Sequence, residues 1–257
     1  MMLSTLQAGL AAGSGVAVGF SLALVGGGGS ILAVPALLYL VGIGSTHLAI
    51  GTSALAVAVN AFANLIQHAR HGNVKWRCAA VFAACGVAGA AIGAHIGKAV
   101  DGHALILAFA AIMIVVGLAM LRPKAAGGDP DVHIDRRIAG RLAVIGLITG
   151  MVSGFFGIGG GFLIVPGIML GSGMPMLYAI GSSLFAVGSF GLTTAISYAL
   201  SGLIDWPVAA VFIAGGLAGG LLGTRLAVRA AAYKGLLNRI FAGMIFVVAA
   251  YIVWRSL

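Results

Sequence analysis

The sequence predicts an all-α polytopic membrane protein made of two inverted-topology repeats of four to five helices each, with short half-helices after glycine-rich breaks. Three observations lead there. The chain is 61% hydrophobic and only 7% charged, whereas a water-soluble domain carries roughly a quarter charged residues. Apolar stretches of about 18 residues or more, long enough to cross a bilayer, recur from end to end. Much of the chain is also written twice. Residues 72–97 (GNVKWRCAAVFAACGVAGAAIGAHIG) and 202–227 (GLIDWPVAAVFIAGGLAGGLLGTRLA) agree at 11 of 26 positions at a constant offset of 130, including Trp76/Trp206, Phe82/Phe212 and Gly93/Gly223.

The first segment, 4–25, follows an N-terminus without Lys or Arg. It lacks the basic region of a secretory signal and reads as a first span. LVGGGGSILAVP, residues 24–35, then interrupts the apolar run. Glycine weakens a helix interior by about 1 kcal/mol relative to alanine, so four in succession end the span. The piece that follows, 31–42, reaches roughly 17 Å, about half the hydrocarbon core, and reads as a half-helix. Full-length segments follow at 46–69, 77–97 and 103–121. A polar stretch from Arg122 holds Asp129, Asp131 and Asp135, three of the five acidic residues.

The second half repeats the order: 138–156, a half-helix at 162–172 after FFGIGGGFLIVP (155–166), then 175–200, 206–228 and 236–255. The domains expected are an N-terminal membrane repeat (1–121), a cytoplasmic linker (122–137) and a C-terminal membrane repeat (138–257). Charge sets the orientation. The loop at 70–77 carries Arg70, Lys75 and Arg77, while its counterpart at 201–207 carries only Asp205. Conversely, 98–102 holds Lys98 and Asp101, while its counterpart region holds Arg225, Arg229 and Lys234. Under the positive-inside rule the halves face opposite ways, with both termini outside.

The net charge of +9 sits in short loops between spans, which is a topology signal rather than a nucleic-acid footprint. Cys78 and Cys85 form no metal-ligand pattern, and no cofactor or metal is expected. The chain has no Glu, and its five Asp residues lie in loops or at membrane edges, which argues against a buried carboxylate proton relay. Phosphate-binding loops of the soluble kind are absent. With no paired carboxylates and no nucleophile–base spacing, an enzyme or an assembly subunit is the weakest reading.

Broken helices in inverted repeats are a transporter signature, with the site near the membrane midplane. A helix starting near Ser30 and another near Gly161 would each direct free N–H groups and a positive dipole end at a shared anion. Scattered glycines such as Gly86, Gly89 and Gly93 read instead as packing residues. The candidate substrate-binding residues are Gly28, Gly29, Ser30, Gly159, Gly160 and Gly161 at the breaks. Thr52 and Ser53 of GTS, and Ser182 and Ser183 of GSS, add hydroxyl donors. Asn64, on the polar face Asn60–Asn64–Gln67–His68, and its counterpart Thr194 complete the set. Interhelical hydrogen bonding accounts for that 60–68 face equally well.

The paired GGGGS-x4-P and GIGGG-x4-P clusters, the following GTS/GSS and the two G-x3-W blocks resemble the TauE/SafE sulfite exporter family over about residues 10–255. The resemblance implies a multi-pass secondary transporter of the bacterial inner membrane, moving sulfite or an organosulfonate such as sulfoacetate by alternating access. Residues carried over by position are Gly26–Ser30, Pro35, Gly51–Ser53, Gly157–Gly161, Pro166 and Gly181–Ser183. Cys78 and Cys85 match no cysteine motif of thiosulfate-importing relatives, so thiosulfate is disfavoured. The expected partners are a small sulfur oxyanion or sulfonate and membrane lipid, with no nucleic acid. A coupling ion (H+ or Na+) and a homodimer stay open, and a passive anion conduit is the alternative function.

Overall fold

A computed structural model of the chain describes residues 4–101, 134–156 and 161–230, with scattered helical positions and short runs between 105 and 118 and between 239 and 250. The expected segments at 103–121 and 236–255 and most of the linker lie outside the described residues. Those described are helical, with no strand among them.

Helix α1, Thr5–Val25, opens with a capping box in which Ser4 Oγ accepts the Gln7 N–H and Gln7 Oε1 accepts the Ser4 N–H. It stops at Gly26, whose φ of 66° suits a residue without Cβ. The glycine cluster is itself wound, contrary to the expectation that ordered helix resumes near Ser30. Gly26–Leu32 forms a 3-10 helix, Ala33–Pro35 one α turn and Ala36–Leu40 a π turn, together α2. Pro35 lacks an N–H and crowds the carbonyl four residues back. The wider winding follows it directly, closing with Val41 N–H donating to the Ala36 carbonyl at 3.0 Å.

The remaining helices are α3 (Thr46–Arg70), α4 (Trp76–Gly97), α5 (Arg136–Phe156), α6 (Gly161–Ser172), α7 (Met176–Ala199) and α8 (Trp206–Ala230). Helix α5 begins two residues before the expected start because Asp135 caps it, accepting the Ile138 N–H at 2.6 Å. Among the described residues six helices (α1, α3, α4, α5, α7 and α8) are long and apolar enough to cross a membrane. The central pair is α3 and α7, each 72% buried over its apolar window, against 33–50% for the other four. Outward faces carry exposed apolar side chains such as Ile66, Val144, Leu222 and Trp206, as a lipid-facing surface requires.

Packing between the halves is reciprocal. Helix α1 lies along α8 and α5 along α4. A Cβ on Gly19 would meet the carbonyl of Gly216, and one on Gly150 would meet the carbonyl of Gly86. Gly15 faces the Phe212 carbonyl, and Gly146 the Phe82 carbonyl. Gly51 faces the Leu203 carbonyl, and Gly181 that of Asn73. Each pair maps onto the next under the sequence offsets of 130 and 131. Contacts in which i meets j′ and j meets i′ define a two-fold relation.

The same contacts give directions. Both steps are ascending along α1/α8 (15 to 212, 19 to 216) and along α5/α4 (146 to 82, 150 to 86), so these pairs run parallel. Along α3/α7 the order reverses, Gly51 meeting Tyr198 and Gly188 meeting the Phe62 ring, so these two run antiparallel. Helices α3 and α8 are parallel, with Asn60 against Gly216 and Asn64 against Gly220. One end of the bundle therefore collects the end of α3, the starts of α4 and α5 and the end of α8. It bears Arg70, Lys75, Arg77, Arg136, Arg137, Arg141, Arg225 and Arg229, whereas Lys98 follows α4 at the opposite end.

The glycine interlock predicts a contrast. Gly150→Leu would drive a side chain into backbone that cannot yield, and overpacking of that kind costs about 1–3 kcal/mol or more. Detergent-solubilised Gly150→Leu is expected to lose its thermal transition or drop well below wild type. Gly140→Leu, with nothing within 4 Å of the added Cβ, should melt as wild type does.

Candidate functional site

The break at Gly26 creates the structure's most unusual backbone environment. A helix start leaves N–H groups without intrahelical partners, and in hydrocarbon such groups must find a partner within the protein. Gly27 finds one in the other half: its N–H donates to Ser183 Oγ at 3.3 Å. Ser183 Oγ in turn donates to the Ile180 carbonyl at 2.7 Å. Ser30 Oγ turns back to donate to the Gly27 carbonyl at 2.7 Å, and both serines are fully buried. Helix α6 packs on the Gly26–Leu32 winding, with the Val165 methyl and the backbone of Ile180 beside Gly26. Three elements thus enclose the glycine cluster, and a hydroxyl oxygen from the opposite repeat caps it.

The structure brings Gly28, Gly29 and Ser30 together with Ser183 around one winding. Gly161 is the first residue of α6, while Gly159 and Gly160 lie outside the described residues. The first hydroxyls of the two G-[TS]-S motifs are engaged elsewhere. Thr52 Oγ1 donates to the Leu48 carbonyl at 2.6 Å and accepts the Asp205 N–H at 2.9 Å. Ser182 Oγ accepts the Lys75 N–H at 2.9 Å. Each clasps the residue that starts a long helix of the other half, beside the glycine that admits that loop's carbonyl. Ser53 Oγ donates to its own helix at Ile50, 2.9 Å away.

The hydroxyl sets do not converge on one point. From the α3/α7 register, Ser183 lies level with about Gln67, so it stands roughly 20 Å along the helix axis from Ser53. A small anion can touch one set at a time. Asn64 belongs to a third surface, where Nδ2 donates to the Gly19 carbonyl at 3.3 Å. Its neighbour one turn on, His68, pairs through Nε2 with the Ala23 carbonyl at 2.9 Å. Thr194 is buried with its hydroxyl unpartnered among the described residues.

Two further groups stand out. Asn60 is fully buried midway along α3 with both carboxamide atoms unpartnered, and Ser153 on α5 is buried with its hydroxyl unpartnered. Leaving a buried polar group unmade costs about 1–3 kcal/mol, so such groups mark places where water, an ion or a substrate completes the shell. Asn60 had a signal in sequence, as the first member of the 60–68 polar face. Ser153, a lone serine in SGFF, had none. Among the described residues no cluster of His, Cys and carboxylates could hold a metal.

Six membrane-length helices among the described residues, with the short segments α2 and α6 between them, define a multi-pass membrane protein. The chain belongs to the sulfite exporter TauE/SafE family, whose sequence profile matches residues 11–252. It is 53% identical over 245 residues to a probable membrane transporter protein of Xylella fastidiosa (strain 9a5c), covering 95% of this chain and 94% of the relative. It is 27% identical over 215 residues (75% and 78%) to the probable membrane transporter protein YunE of Bacillus subtilis (strain 168). The probable membrane transporter protein MJ0441 of Methanocaldococcus jannaschii (strain ATCC 43067 / DSM 2661 / JAL-1 / JCM 10045 / NBRC 100440) shares 29% over 206 residues (76% and 70%). No solved structure matches. The family is named for an exporter and these relatives are named probable membrane transporters, and this chain is a membrane transporter of that family.

The clasps have a measurable consequence. Thr52→Val and Ser182→Ala each leave a half-buried N–H without its acceptor, at Asp205 and Lys75 respectively. Each is expected to destabilise the fold by about 1–2 kcal/mol, read as a lower midpoint of unfolding in mixed micelles. Ser189→Ala, whose hydroxyl bonds only within α7, should leave the midpoint near wild type.

Proposed function

We propose that this protein is a secondary transporter of a small sulfur oxyanion, sulfite or an organosulfonate such as sulfoacetate, across the bacterial inner membrane by alternating access. The observation that carries the reading is the Gly27 N–H capped by Ser183 Oγ. It is a buried helix start whose N–H donates to a side-chain oxygen of the other half. A substrate oxygen can replace the serine oxygen there, on neutral donors that release it again.

The inverted arrangement belongs to the same proposal. Equivalent helices α3 and α7 run antiparallel, which supports two halves inserted with opposite sense. The concentration of Arg and Lys at the end of α3 supports a cytoplasmic assignment for that end and an outer assignment for the Lys98 end. The roughly 20 Å between the Ser53 and Ser183 levels fits one set of donors on each side of the midplane, available in turn as the two repeats rock against each other. H+ or Na+ would supply coupling.

Proteoliposomes test the reading. Wild type is expected to take up sulfite or methanesulfonate with saturation and to show counterflow, and Ser183→Ala to raise the half-saturating concentration several-fold while inserting normally. Carboxylates transported in preference to sulfur oxyanions would break the substrate assignment. Unitary currents in a planar bilayer would replace the carrier by a passive conduit.

A further inference from the structure

We propose a second oxyanion position, distinct from the Gly26–Ser30 winding, at the Lys98 end of the bundle: Lys98, Tyr198 and His47 form a docking site for the anion on its way to the interior. The anion class rests on the function proposed above, but the site rests on separate observations. Lys98 is the one Lys or Arg that the described helices and their connections bring to this end. Its ammonium reaches inward, donating to the Ser197 carbonyl and to Ser201 Oγ, each at 3.2 Å. It stands 5.9 Å from the centre of the Tyr198 ring. The His47 ring lies on the same tyrosine, 6.4 Å between centroids. Tyr198 is fully buried with its hydroxyl unpartnered, and His47 Nδ1 is likewise buried and unpartnered. The ammonium and the imidazole both lie against the ring of Tyr198, and together with its phenol they provide a charge and two further hydrogen-bonding groups, a set suited to a singly charged oxyanion. Of the carboxylates at this end, Asp205 is occupied as the cap of α8, accepting the Val208 N–H at 3.1 Å, and Asp101 follows Lys98 by three residues.

The unpartnered groups continue inward. Thr194 lies one turn before Tyr198 on the same face of α7, and its hydroxyl is unpartnered too. Gly86 touches both Phe190 and the Gly146 carbonyl, and that register carries Ser153 of α5 to the depth of Tyr198. The equivalent face of the other repeat is closed. His68 and Asn64 occupy the positions of Tyr198 and Thr194 and are tied to the Ala23 and Gly19 carbonyls, and Val228 replaces Lys98. The polar route is therefore built in one repeat and sealed in the other.

The test uses the full chain in phosphatidylcholine nanodiscs for equilibrium binding of methanesulfonate and sulfite, and in proteoliposomes of fixed orientation for uptake from each side. Lys98→Gln is expected to weaken binding and to raise the half-saturating concentration about tenfold for anion supplied at the Lys98 end. Uptake from the Arg70 end should be unchanged, and Lys98→Arg should recover most of the loss. Tyr198→Phe is expected to weaken binding about threefold without lowering the melting temperature, because it removes a hydroxyl that no protein group needs. Binding unchanged in both Lys98→Gln and Tyr198→Phe overturns the site, as does an equal rise in half-saturation from both sides. If Ser183→Ala impairs uptake while Lys98→Gln does not, this site fails and the transporter reading stands. If wild type binds neither anion, both fail. Binding abolished by adding anionic lipid would assign the position to a headgroup and overturn it as well.

Discussion

A helix interrupted inside a membrane leaves N–H groups that lipid cannot satisfy, and the way this chain meets that constraint governs the rest of the molecule. The Gly26 break would strand the Gly27 N–H were it not for Ser183, which lies 156 residues away in sequence. The two repeats therefore cannot be independent bundles set side by side. Each must hold the other close enough for a hydroxyl to reach a backbone amide. The Thr52–Asp205 and Ser182–Lys75 clasps meet the same demand at the two ends of the bundle.

Close approach at this level depends on glycine. Without a hydrophobic drive between helices in lipid, association relies on backbone proximity and van der Waals packing. Gly19 against Gly216 and Gly150 against Gly86 give α1/α8 and α4/α5 bare carbonyl-to-Cα surfaces. These tight parallel pairs flank the antiparallel α3/α7 centre, which carries most of the buried polar side chains. Scattered glycines and clustered ones thus do different work: the first set distance, and the second set a break.

The helices themselves were legible in the sequence because span length and apolar content are local properties, and the repeat was legible because Trp, Gly and Pro recur in order. The winding of α2 was not. A run of four glycines signals a break, but whether the chain then loops or coils as a 3-10 helix depends on Val165 and Ser183 packing against it, which no local pattern encodes. The GTS/GSS hydroxyls were recognised as special by duplication. Their division into inter-repeat clasps (Thr52, Ser182) and a helix cap (Ser183) requires knowing which loop meets which helix. Ser153 stayed hidden because one serine among apolar neighbours usually bonds back to its own helix, and only the absence of that bond sets it apart.

The halves exchange their backbone contacts faithfully and their side chains unfaithfully, and that difference has a consequence for the alternating-access function proposed above. If the repeats were identical, the packing with one half in the role of the other would have the same energy, and neither facing would be favoured. Here Phe190 stacks on Phe82, 6.1 Å between ring centres, whereas the equivalent position holds Asn60 with both polar atoms unpartnered. His68 and Asn64 are bonded to carbonyls of α1, whereas Tyr198 and Thr194 are not bonded to α5. Under alternating access, one facing keeps the sealed repeat sealed, and the other must break its two side-chain-to-carbonyl bonds while finding partners for the open one. Two conformations separated by a few such bonds differ by a small number of kcal/mol, the range in which a bound ion or substrate can shift the population. On the alternating-access reading, the divergence of side chains on matched backbone contacts would give this fold a resting direction.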